Sequence, residues 1–429
     1  MIGTAFQALV SRMSCHWQSV RQLPQLHSQR SPGLVVPAVP ARSLDSAAGW
    51  PGALPGGEGS ITGTILITGA GGSIGSALCQ RLLCLGPAKL VLLDHSETNL
   101  YQIDRRLRLE SSGDRPMIVP ALGSVTDSRF LRRLMALHPP QTVFHAAACK
   151  HVPLVEMNPL AGIETNVLGT QRLLDASLNA TVRRFILVST DKAVRPQGVM
   201  GATKRLAELL VQDSAREAAI TRFAIVRFGN VLGSSGSVLP LFREQVARGG
   251  PVTLTDPEAT RYFMTPDEAI DLLLVSADLA ERRNAPTFVP RMGRAISMRA
   301  FAESVIREAG LRPRDVDHPD GDIEITSIGL RSGEKLHEEL HLSAHPRPTL
   351  HPRILRIDEP SLSQSAMALA LEELETAIRH GSDTAGRKAL FRWAAVEADA
   401  LAATRRPTVD AAPLPARGPH LLHNATGGG

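Results

Sequence analysis

Residues 64–75 read TILITGAGGSIG, and this stretch decides the fold. Its first five residues form a continuous apolar run, which is typical of a strand buried on both faces. Gly69, Gly72 and Gly75 follow at G-x-x-G-x-x-G spacing, and an amphipathic stretch that predicts a helix comes next. The first glycine permits a tight turn, the second lets the backbone approach a pyrophosphate, and the third lets the helix lie close to the strand.

The alternation of strand and helix continues beyond this stretch. Further strands are predicted at KLVLL (89–93), MIVPA (117–121), TVFHA (142–146), RFILVST (184–190) and FAIVRF (223–228). Repeated β-α-β units predict an α/β fold with a doubly wound parallel (Rossmann) sheet, which binds ligands at the carboxyl ends of its strands. After about residue 230 the alternation breaks down, and we expect a smaller C-terminal lobe that binds substrate.

A dinucleotide is the ligand that the glycine turn predicts. The backbone N–H groups of Ser73 and Ile74 fall at the expected start of the helix, where they would meet phosphate charge. Asp94 follows the second strand, where a carboxylate accepts from the ribose hydroxyls of NAD and repels the 2′-phosphate of NADP. NAD is therefore expected rather than NADP. The alternative for Asp94 is that it only caps the next helix.

The loops after the third and fourth strands complete the predicted cofactor site. Ser124 and Val125 lie in GSVTD (123–127), where adenine contacts are expected. Ala146 belongs to a run of small residues that lets the backbone pass close to the cofactor. Lys150 is expected to point into the cleft between cofactor and substrate. An exposed loop lysine is the alternative for Lys150.

Composition excludes several other classes of protein. The chain has 429 residues, 43% hydrophobic and 21% charged, with a net charge of +5. No apolar run approaches the roughly 20 residues that span a bilayer. The basic residues are scattered among acids, so nucleic acid is not an expected partner. The four cysteines lack metal-ligand spacing and suggest neither a metal site nor a disulfide framework.

These patterns divide the chain into five expected regions. They are a disordered or targeting-like extension (1–60), an NAD-binding core (61–230), a substrate-binding lobe with returning segments (231–345), a helical extension (346–404) and a disordered tail (405–429). The first and last regions are rich in Pro, Gly, Ala or Ser and lack periodic apolar patterns.

Six motifs occur in order along residues 61–345. They are the glycine turn, HAAACKHVPLVEMNP (145–159), STDKAVRPQGVMGATKR (189–205), RFGNVLGSSGSVLP (227–240), TRYFMT (260–265) and GLRSGEKLHEEL (329–340). Together they resemble the UDP-N-acetylglucosamine 4,6-dehydratases, which are polysaccharide biosynthesis enzymes of the extended short-chain dehydrogenase/reductase group. The resemblance implies NAD, a UDP-sugar substrate and a homo-oligomer. It favours a bacterial cytoplasmic location, with organellar targeting by residues 1–60 as the alternative.

The resemblance also implies a reaction and its catalytic residues. A hydride leaves sugar C4, water is eliminated across C5 and C6, and the hydride returns to C6. Lys192 is expected to act as the C5 base and Asp191 as the C6 acid, while Lys204 bonds the nicotinamide ribose. A lysine base must be partly neutral, so burial or a cation at Lys150 or Lys204 is expected to lower the pKa of Lys192.

Met200 raises a separate question, because most such enzymes carry a proton-accepting tyrosine four residues before the lysine that matches Lys204. A thioether accepts no proton. Long, membrane-anchored forms of the family tend to carry methionine here, and the chain is expected to be a catalytic domain of that type. Asp191 or Lys192 is expected to deprotonate the C4 hydroxyl. The other route is a water relayed through Thr190 and Lys204, and an inactive site is the remaining alternative.

Five residues are expected to bind the sugar nucleotide in addition to Lys150. By the resemblance, Arg261 and Arg331 match family positions that hold the diphosphate, and the planar guanidinium of arginine suits phosphate geometry. Asn230 is expected to contact the phosphate or sugar. Glu334 and Lys335 are expected to hold ribose or to order Arg331. Two other functions stay open. They are a nucleotide-sugar 4- or 5-epimerase, and an NAD-binding regulator without turnover.

Overall fold

The computed structural model describes residues 61–111, 116–342 and 345–395. The predictions for residues 1–60 and 405–429, and for the end of the helical extension, lie outside these ranges. The strands, in chain order, are β1 (Thr64–Thr68), β2 (Lys89–Asp94), β3 (Met117–Leu122), β4 (Thr142–His145), β5 (Arg184–Val188), β6 (Arg222–Val226), β7 (Asn230–Val231), β8 (Val252–Leu254), β9 (Thr260–Arg261), β10 (Phe263–Met264), β11 (Glu281–Arg282), β12 (Thr287–Pro290), β13 (Ile296–Ser297), β14 (Pro313–Arg314), β15 (Ile323–Ser327), β16 (Arg347–Pro348) and β17 (Ile354–Ile357).

Helices connect most of the strands of the main sheet. In chain order they are α1 (Ser73–Leu85), α2 (Glu97–Glu110), α3 (Ser128–Leu137), α4 (Val152–Met157), α5 (Pro159–Ile163), α6 (Gly169–Asn179), α7 (Val199–Glu217), α8 (Val238–Ala247), α9 (Pro266–Asp278), α10 (Met298–Glu308), α11 (Gln364–Arg379) and α12 (Asp383–Ala394). A π-helical turn, Glu164–Leu168, joins α5 to α6, and a 3₁₀ turn, Asp191–Ala193, follows β5.

The main sheet is doubly wound. Its order is β3-β2-β1-β4-β5-β6-β12-β17-β16, and β11 pairs with β6. The first seven strands of that order are parallel, while β17, β16 and β11 each pair antiparallel. The strand order reverses between β1 and β4, and ligands bind at such a switch point. The predicted α/β Rossmann fold is confirmed.

The continuous apolar runs arise because both faces of the central strands are buried. Leu66 and Phe185 pack into the core on one face, and Ile67 and Phe144 pack into the core on the other. All four are at most 1% exposed. Burying each such side chain contributes roughly 1.5–3 kcal/mol. Burial on both faces therefore holds the carboxyl ends of β1, β4 and β5 in a fixed arrangement.

A smaller unit with its own apolar core follows β6. Helices α8 and α10 pack there against the short sheet β14-β15-β8, around Phe242, Val252, Phe301 and Ile323. The chain returns to the main sheet first with α9, which packs on α1, and β12, which lies beside β6. It returns a second time, after α10 and β15, with β17, which pairs with β12. This smaller unit and the ends of the main strands enclose a cleft of about 630 Å³.

Helix α7 is buried on nearly all sides. Every residue from 199 to 211 is buried. The reason is that α7 packs on β6 and is covered by α11 and α12. A helix enclosed in this way holds its side chains in one place, which matters because the first turns of α7 line the cleft.

Candidate active site

The glycine turn has the geometry that its spacing predicts. Gly69 has a φ of +66°, and a Cβ there would lie 2.8 Å from the backbone of Ala147. A Cβ on Gly75 would lie 2.0 Å from the carbonyl oxygen of Gly69. Gly72 is the N-cap of α1 and offers no capping side chain, so the first N–H groups of the helix remain available to an anion.

The first two side chains of α1 have different surroundings. Ile74 lines the cleft. The hydroxyl of Ser73 accepts a hydrogen bond of 3.0 Å from the backbone N–H of Ser235. Ser235 belongs to the loop that leads into α8, so this bond joins the glycine turn to the smaller unit.

Asp94 ends β2 with its carboxylate buried beside the glycine turn. Its Oδ2 accepts from the N–H of Gly71 and its Oδ1 from the N–H of Ser96, both at 2.9 Å. The N-cap of α2 is Ser96, whose hydroxyl accepts from Asn99 N–H. The alternative reading of Asp94 as the cap of that helix is therefore wrong. The two backbone bonds orient the carboxylate and leave each oxygen a lone pair for a ribose hydroxyl.

The loop after β3 is organised by its own side chains. The Ser124 hydroxyl lies 2.8 Å from the Thr126 hydroxyl and accepts from Thr126 N–H at 3.1 Å. Val125 is 5% exposed and packs in the core against Gly169. Neither Ser124 nor Val125 lines the cleft. Their contact with adenine stays a prediction.

A buried histidine supports the loop after β4. His145 accepts or donates at both ring nitrogens, 2.7 Å from the Thr68 hydroxyl and 2.9 Å from the Thr170 hydroxyl. Burial, together with repulsion from Lys204, lowers the pKa of His145 to about 3, so the ring is neutral. The supported loop presents Ala146 and Lys150 to the cleft. Lys150 is also exposed, as a residue at the mouth would be.

Three ionisable side chains meet at the end of β5. Lys192 Nζ lies 3.0 Å from Asp191 Oδ1 and 3.5 Å from Glu338 Oε1. Thr190 donates to the same Asp191 oxygen at 2.8 Å and caps the 3₁₀ turn that carries the pair. Asp191 is fully buried. The predicted strand 184–190 ends at Val188, because Ser189 and Thr190 turn out of the sheet to build this cluster.

The protonation of Lys192 differs from the expectation. Burial alone would lower the pKa of Lys192, but attraction to Asp191 and Glu338 outweighs burial and raises it above its ordinary value. Arg261 opposes this only weakly. The expected lowering by Lys150 or Lys204 is therefore wrong, and Lys192 rests as an ammonium between two carboxylates.

Met200 and Lys204 lie one turn apart on α7 and share a face. Met200 is 4% exposed and forms an apolar part of the cleft wall. Lys204 is 7% exposed, and its ammonium donates to the Val188 carbonyl at 2.7 Å. Burial lowers the pKa of Lys204 to about 8, although Glu208 partly opposes the shift.

A buried ionic network behind Lys204 was not foreseen from the sequence. Glu208 accepts from Arg227 Nε at 2.7 Å and from Arg205 at 3.1 Å. Glu359 accepts from Arg227 at 2.6 Å and lies 3.0 Å from Arg205. Ser189 donates to Glu208 at 2.5 Å. The network ties α7, β6 and the segment after β17 to the end of β5, where the catalytic candidates lie.

The structure divides the predicted substrate residues. Asn230, Arg261, Arg331 and Glu334 line the cleft, and Asn230 Oδ1 accepts from Lys192 Nζ at 3.4 Å. Lys335 does not line it. Its buried ammonium donates to the Val194 carbonyl, so its expected contact with ribose needs correction. Lys335 anchors the loop after the 3₁₀ turn.

Arg261 has structural contacts as well as a place in the cleft. Its guanidinium donates to the carbonyls of Lys335 at 2.7 Å and Leu336 at 2.9 Å. It thereby holds the segment that carries Glu338. Sequence reasoning missed Glu338, although the repeated acids in GEKLHEEL were a signal that could have identified it.

Comparison with known proteins identifies the family. The family described as polysaccharide biosynthesis protein matches residues 65–359. The chain belongs to this family. The resemblance drawn from the six motifs, to polysaccharide biosynthesis enzymes of the extended short-chain dehydrogenase/reductase group, is confirmed.

Relatives in the polysaccharide biosynthesis family differ in length and in name. The chain is 45% identical over 277 residues to the capsular polysaccharide biosynthesis protein CapD of Staphylococcus aureus, covering 65% of this chain and 45% of CapD. It is 41% identical to the probable polysaccharide biosynthesis protein EpsC of Bacillus subtilis, covering 65% and 44%. The chain therefore spans less than half the length of these two relatives. A UDP-glucose 4-epimerase of Rickettsia rickettsii is 34% identical, with 65% and 77% covered.

Solved structures agree with the fold. Pen from Bacillus thuringiensis superposes with a TM-score of 0.60 at 29% identity, covering 71% of this chain and 89% of Pen. DesIV, a dTDP-glucose 4,6-dehydratase from Streptomyces venezuelae with NAD bound, superposes with a TM-score of 0.52 at 23% identity, covering 65% and 88%.

Two further kinds of feature are absent from the described residues. No helix in the described ranges is long and apolar enough to cross a membrane. No group of three His, Cys, Asp or Glu side chains in the same ranges could hold a metal ion.

Proposed function

We propose that this member of the polysaccharide biosynthesis family is a nucleotide-sugar 4,6-dehydratase. It converts UDP-N-acetylglucosamine, or a related UDP-N-acetylhexosamine, to the 4-keto-6-deoxy sugar. The observation that carries the proposal is the buried Asp191 carboxylate bonded to Lys192 at the cleft. Elimination of water across C5 and C6 needs a proton acceptor and a proton donor, and this pair supplies both kinds of group.

NAD is the cofactor that the residues fit. The glycine turn leaves no space for a Cβ at Gly69 or Gly75, and the backbone N–H groups at the start of α1 have no capping side chain. Ser73 and Ile74 N–H would hold the diphosphate, and Asp94 would accept from the ribose hydroxyls. Bound NAD would supply the hydride acceptor at C4 and the donor at C6.

The chain can move the C4 proton without a tyrosine. As a carboxylate, Asp191 can take the proton of the C4 hydroxyl and then give it to the C6 oxygen as that oxygen leaves as water. One group thus serves both transfers, and the Thr190 hydroxyl orients it from 2.8 Å. Met200 then contributes an apolar wall that limits water at the site, and the site remains active without the tyrosine.

The sugar nucleotide is proposed to lie between the main strands and the smaller unit. Arg331 and Lys150 line the cleft and would bind the diphosphate, while Asn230 lies beside Lys192. Arg261 adds positive charge, although its guanidinium also holds two backbone carbonyls. A cleft of about 630 Å³ lies within the usual range for small-molecule sites.

A second candidate is a UDP-sugar 4-epimerase. The Rickettsia rickettsii relative with that name favours it. An epimerase that acts only at C4 has no use for an acid and base that reach C5 and C6. The Asp191–Lys192 pair therefore favours dehydration.

A bacterial cytoplasmic location, a homo-oligomeric assembly and the division at residues 230 and 345 remain parts of the proposal.

The test is to incubate the purified protein with UDP-N-acetylglucosamine and NAD and to follow the nucleotide sugar by mass spectrometry. We expect the loss of one water. Lys192→Ala should abolish the loss, whereas Lys388→Ala, on the exposed face of α12, should not. Retained NAD binding would show that the Lys192 variant is folded.

Other outcomes would replace the proposal. An unchanged mass with a new sugar isomer by NMR would establish the epimerase. Bound NAD with no product from a panel of UDP- and dTDP-sugars would establish a protein without turnover.

A further inference from the structure

The proposed reaction leaves one proton without a place. Removal of the C5 proton needs a lone pair, and Lys192 rests as an ammonium between Asp191 and Glu338. Asp191 cannot accept the ammonium proton at this stage, because it already carries the proton from the C4 hydroxyl. A third group must therefore hold the proton of Lys192 during the elimination.

Glu338 is placed to be that group. It is 6% exposed, and its Oε1 lies 3.5 Å from Lys192 Nζ. Its Oε2 is buried and has no hydrogen-bond partner among the described residues. The ammonium Nζ of Lys335 lies 4.0 Å from Oε2, beyond hydrogen-bond distance. A buried carboxylate oxygen without a hydrogen bond is costly while it is charged, and protonation relieves that cost.

The surroundings of Glu338 make its carboxylate easier to protonate than an ordinary glutamate. Burial raises the pKa of Glu338, repulsion from Asp191 adds to the rise, and attraction to Lys192, Arg261 and Lys335 only partly offsets it. The balance changes within the cycle, because transfer of the ammonium proton removes the charge of Lys192 and of Glu338 together.

Glu338 also faces a second, smaller cavity. That cavity has a volume of about 290 Å³ and is lined by Tyr262, Arg291, Glu339 and His341, among others. Glu338 is the acid that lines both this cavity and the main cleft among the described residues. It therefore forms part of the wall between the reacting groups and a separate polar space.

We propose that Glu338 is a positioning residue that acts through Lys192, holding the ammonium proton while Lys192 removes the proton from C5. This inference rests on the proposed function. Lys192 Nζ is held between both carboxylates, and a small rotation of its flexible side chain brings it within charged hydrogen-bond range of Oε1, about 2.7–2.9 Å.

The transfers balance over one turnover. A proton moves from Lys192 Nζ to Glu338, and the freed lone pair takes the C5 proton. The C5–H electron pair forms the C5–C6 double bond, the C6–O bond breaks, and Asp191 protonates the leaving oxygen to give water. After hydride returns to C6, Lys192 returns its proton to C5. Glu338 then reprotonates Lys192, and all three groups regain their starting states.

The first measurement does not depend on turnover. Competitive acylation of lysines across pH, read peptide by peptide by mass spectrometry, gives the pKa of Lys192. Glu338→Gln should lower this pKa by about one unit, since it removes one of two nearby opposite charges. Glu339→Gln is the matched control, because Glu339 pairs with Arg195 on the surface and should leave Lys192 unchanged. An unchanged Lys192 in Glu338→Gln would overturn the proposal.

The second measurement separates the half-reactions in a single turnover with UDP-N-acetylglucosamine. Glu338→Gln should still oxidise C4, which is detected by the absorbance of the reduced form of the nicotinamide. It should slow water loss by about 100-fold or more. The variant should recover part of its rate at high pH, where solvent deprotonates Lys192. Glu338→Asp should retain part of the rate at neutral pH.

The remaining outcomes are distinct. If the rates of C4 oxidation and of water loss fall equally, without recovery at high pH, Glu338 has a purely structural role and the proposal is overturned. A wild-type protein that dehydrates no sugar would overturn the proposed function instead. In that case the pKa of Lys192 in Glu338→Asp would still show whether the carboxylate acts on Lys192. The same measurement applies if Glu338→Gln does not fold.

Discussion

Lys204 couples stability to function, and Lys204→Met tests this coupling. The lysine is 7% exposed, and burial lowers its pKa to about 8 from its ordinary value of 10.5. A lysine whose pKa is lowered by folding loses protons more easily in the folded state than in the unfolded state. The unfolded chain therefore binds more protons between those two values, and the free energy of unfolding rises with pH across that window.

The size of the effect follows from the two pKa values. The difference between 10.5 and about 8 corresponds to roughly 3 kcal/mol over the full window, at 1.36 kcal/mol per unit. Between pH 7 and pH 9.5, Lys204 should contribute about 2 kcal/mol of that rise. Methionine is similar in length and carries no charge, so Lys204→Met should lack this contribution.

Urea denaturation of both proteins at pH 7 and pH 9.5 measures the effect, with Lys388→Met as a control for a lysine exposed on α12. The wild type should gain about 2 kcal/mol relative to Lys204→Met as the pH rises. Lys204→Met should also lose activity at both pH values. An identical pH dependence in the two proteins would refute the reasoning, because it would mean that Lys204 is not desolvated in the folded state.

Three further predictions follow from the site. Met200→Leu should retain activity within a few-fold, measured as water loss, because the cleft wall needs only an apolar side chain there. Asp94→Ala should weaken NAD binding by about tenfold or more and should reduce the preference for NAD over NADP, because it removes a charged acceptor. Calorimetric titration measures both effects. Arg227→Met should destabilise the fold by about 3–5 kcal/mol in urea denaturation, because Glu208 and Glu359 lose a buried partner. A loss below about 1 kcal/mol would contradict the last.

Local chemistry made part of the candidate site predictable. The glycine spacing demanded a tight turn, and a Cβ at Gly69 or Gly75 does collide with backbone. An acid after the second strand was expected beside that turn, and Asp94 lies there with both oxygens bonded to backbone N–H groups. These features depend on a few neighbouring residues, so sequence spacing carries them.

Long-range contacts made the rest unpredictable. Lys335 and Glu338 lie three residues apart, yet one anchors a loop and the other faces the cleft. Which does which depends on how the segment packs on the turn at residues 191–194. The pKa of Lys192 was expected to fall and instead rises, because Glu338, distant in sequence, adds a second carboxylate to the first.

The sequence by itself determined the α/β fold, the nucleotide-binding turn and the family of this protein. Apolar runs with helices between them bury both faces of a parallel sheet, and the spaced glycines mark positions where the backbone leaves no space for a Cβ. Only the tertiary structure decided the charge of the candidate catalytic groups. Desolvation and Coulomb attraction act through space. The pKa values of Lys192, Lys204 and Glu338 therefore depend on neighbours brought together from the end of β5, α7 and the segment 329–340.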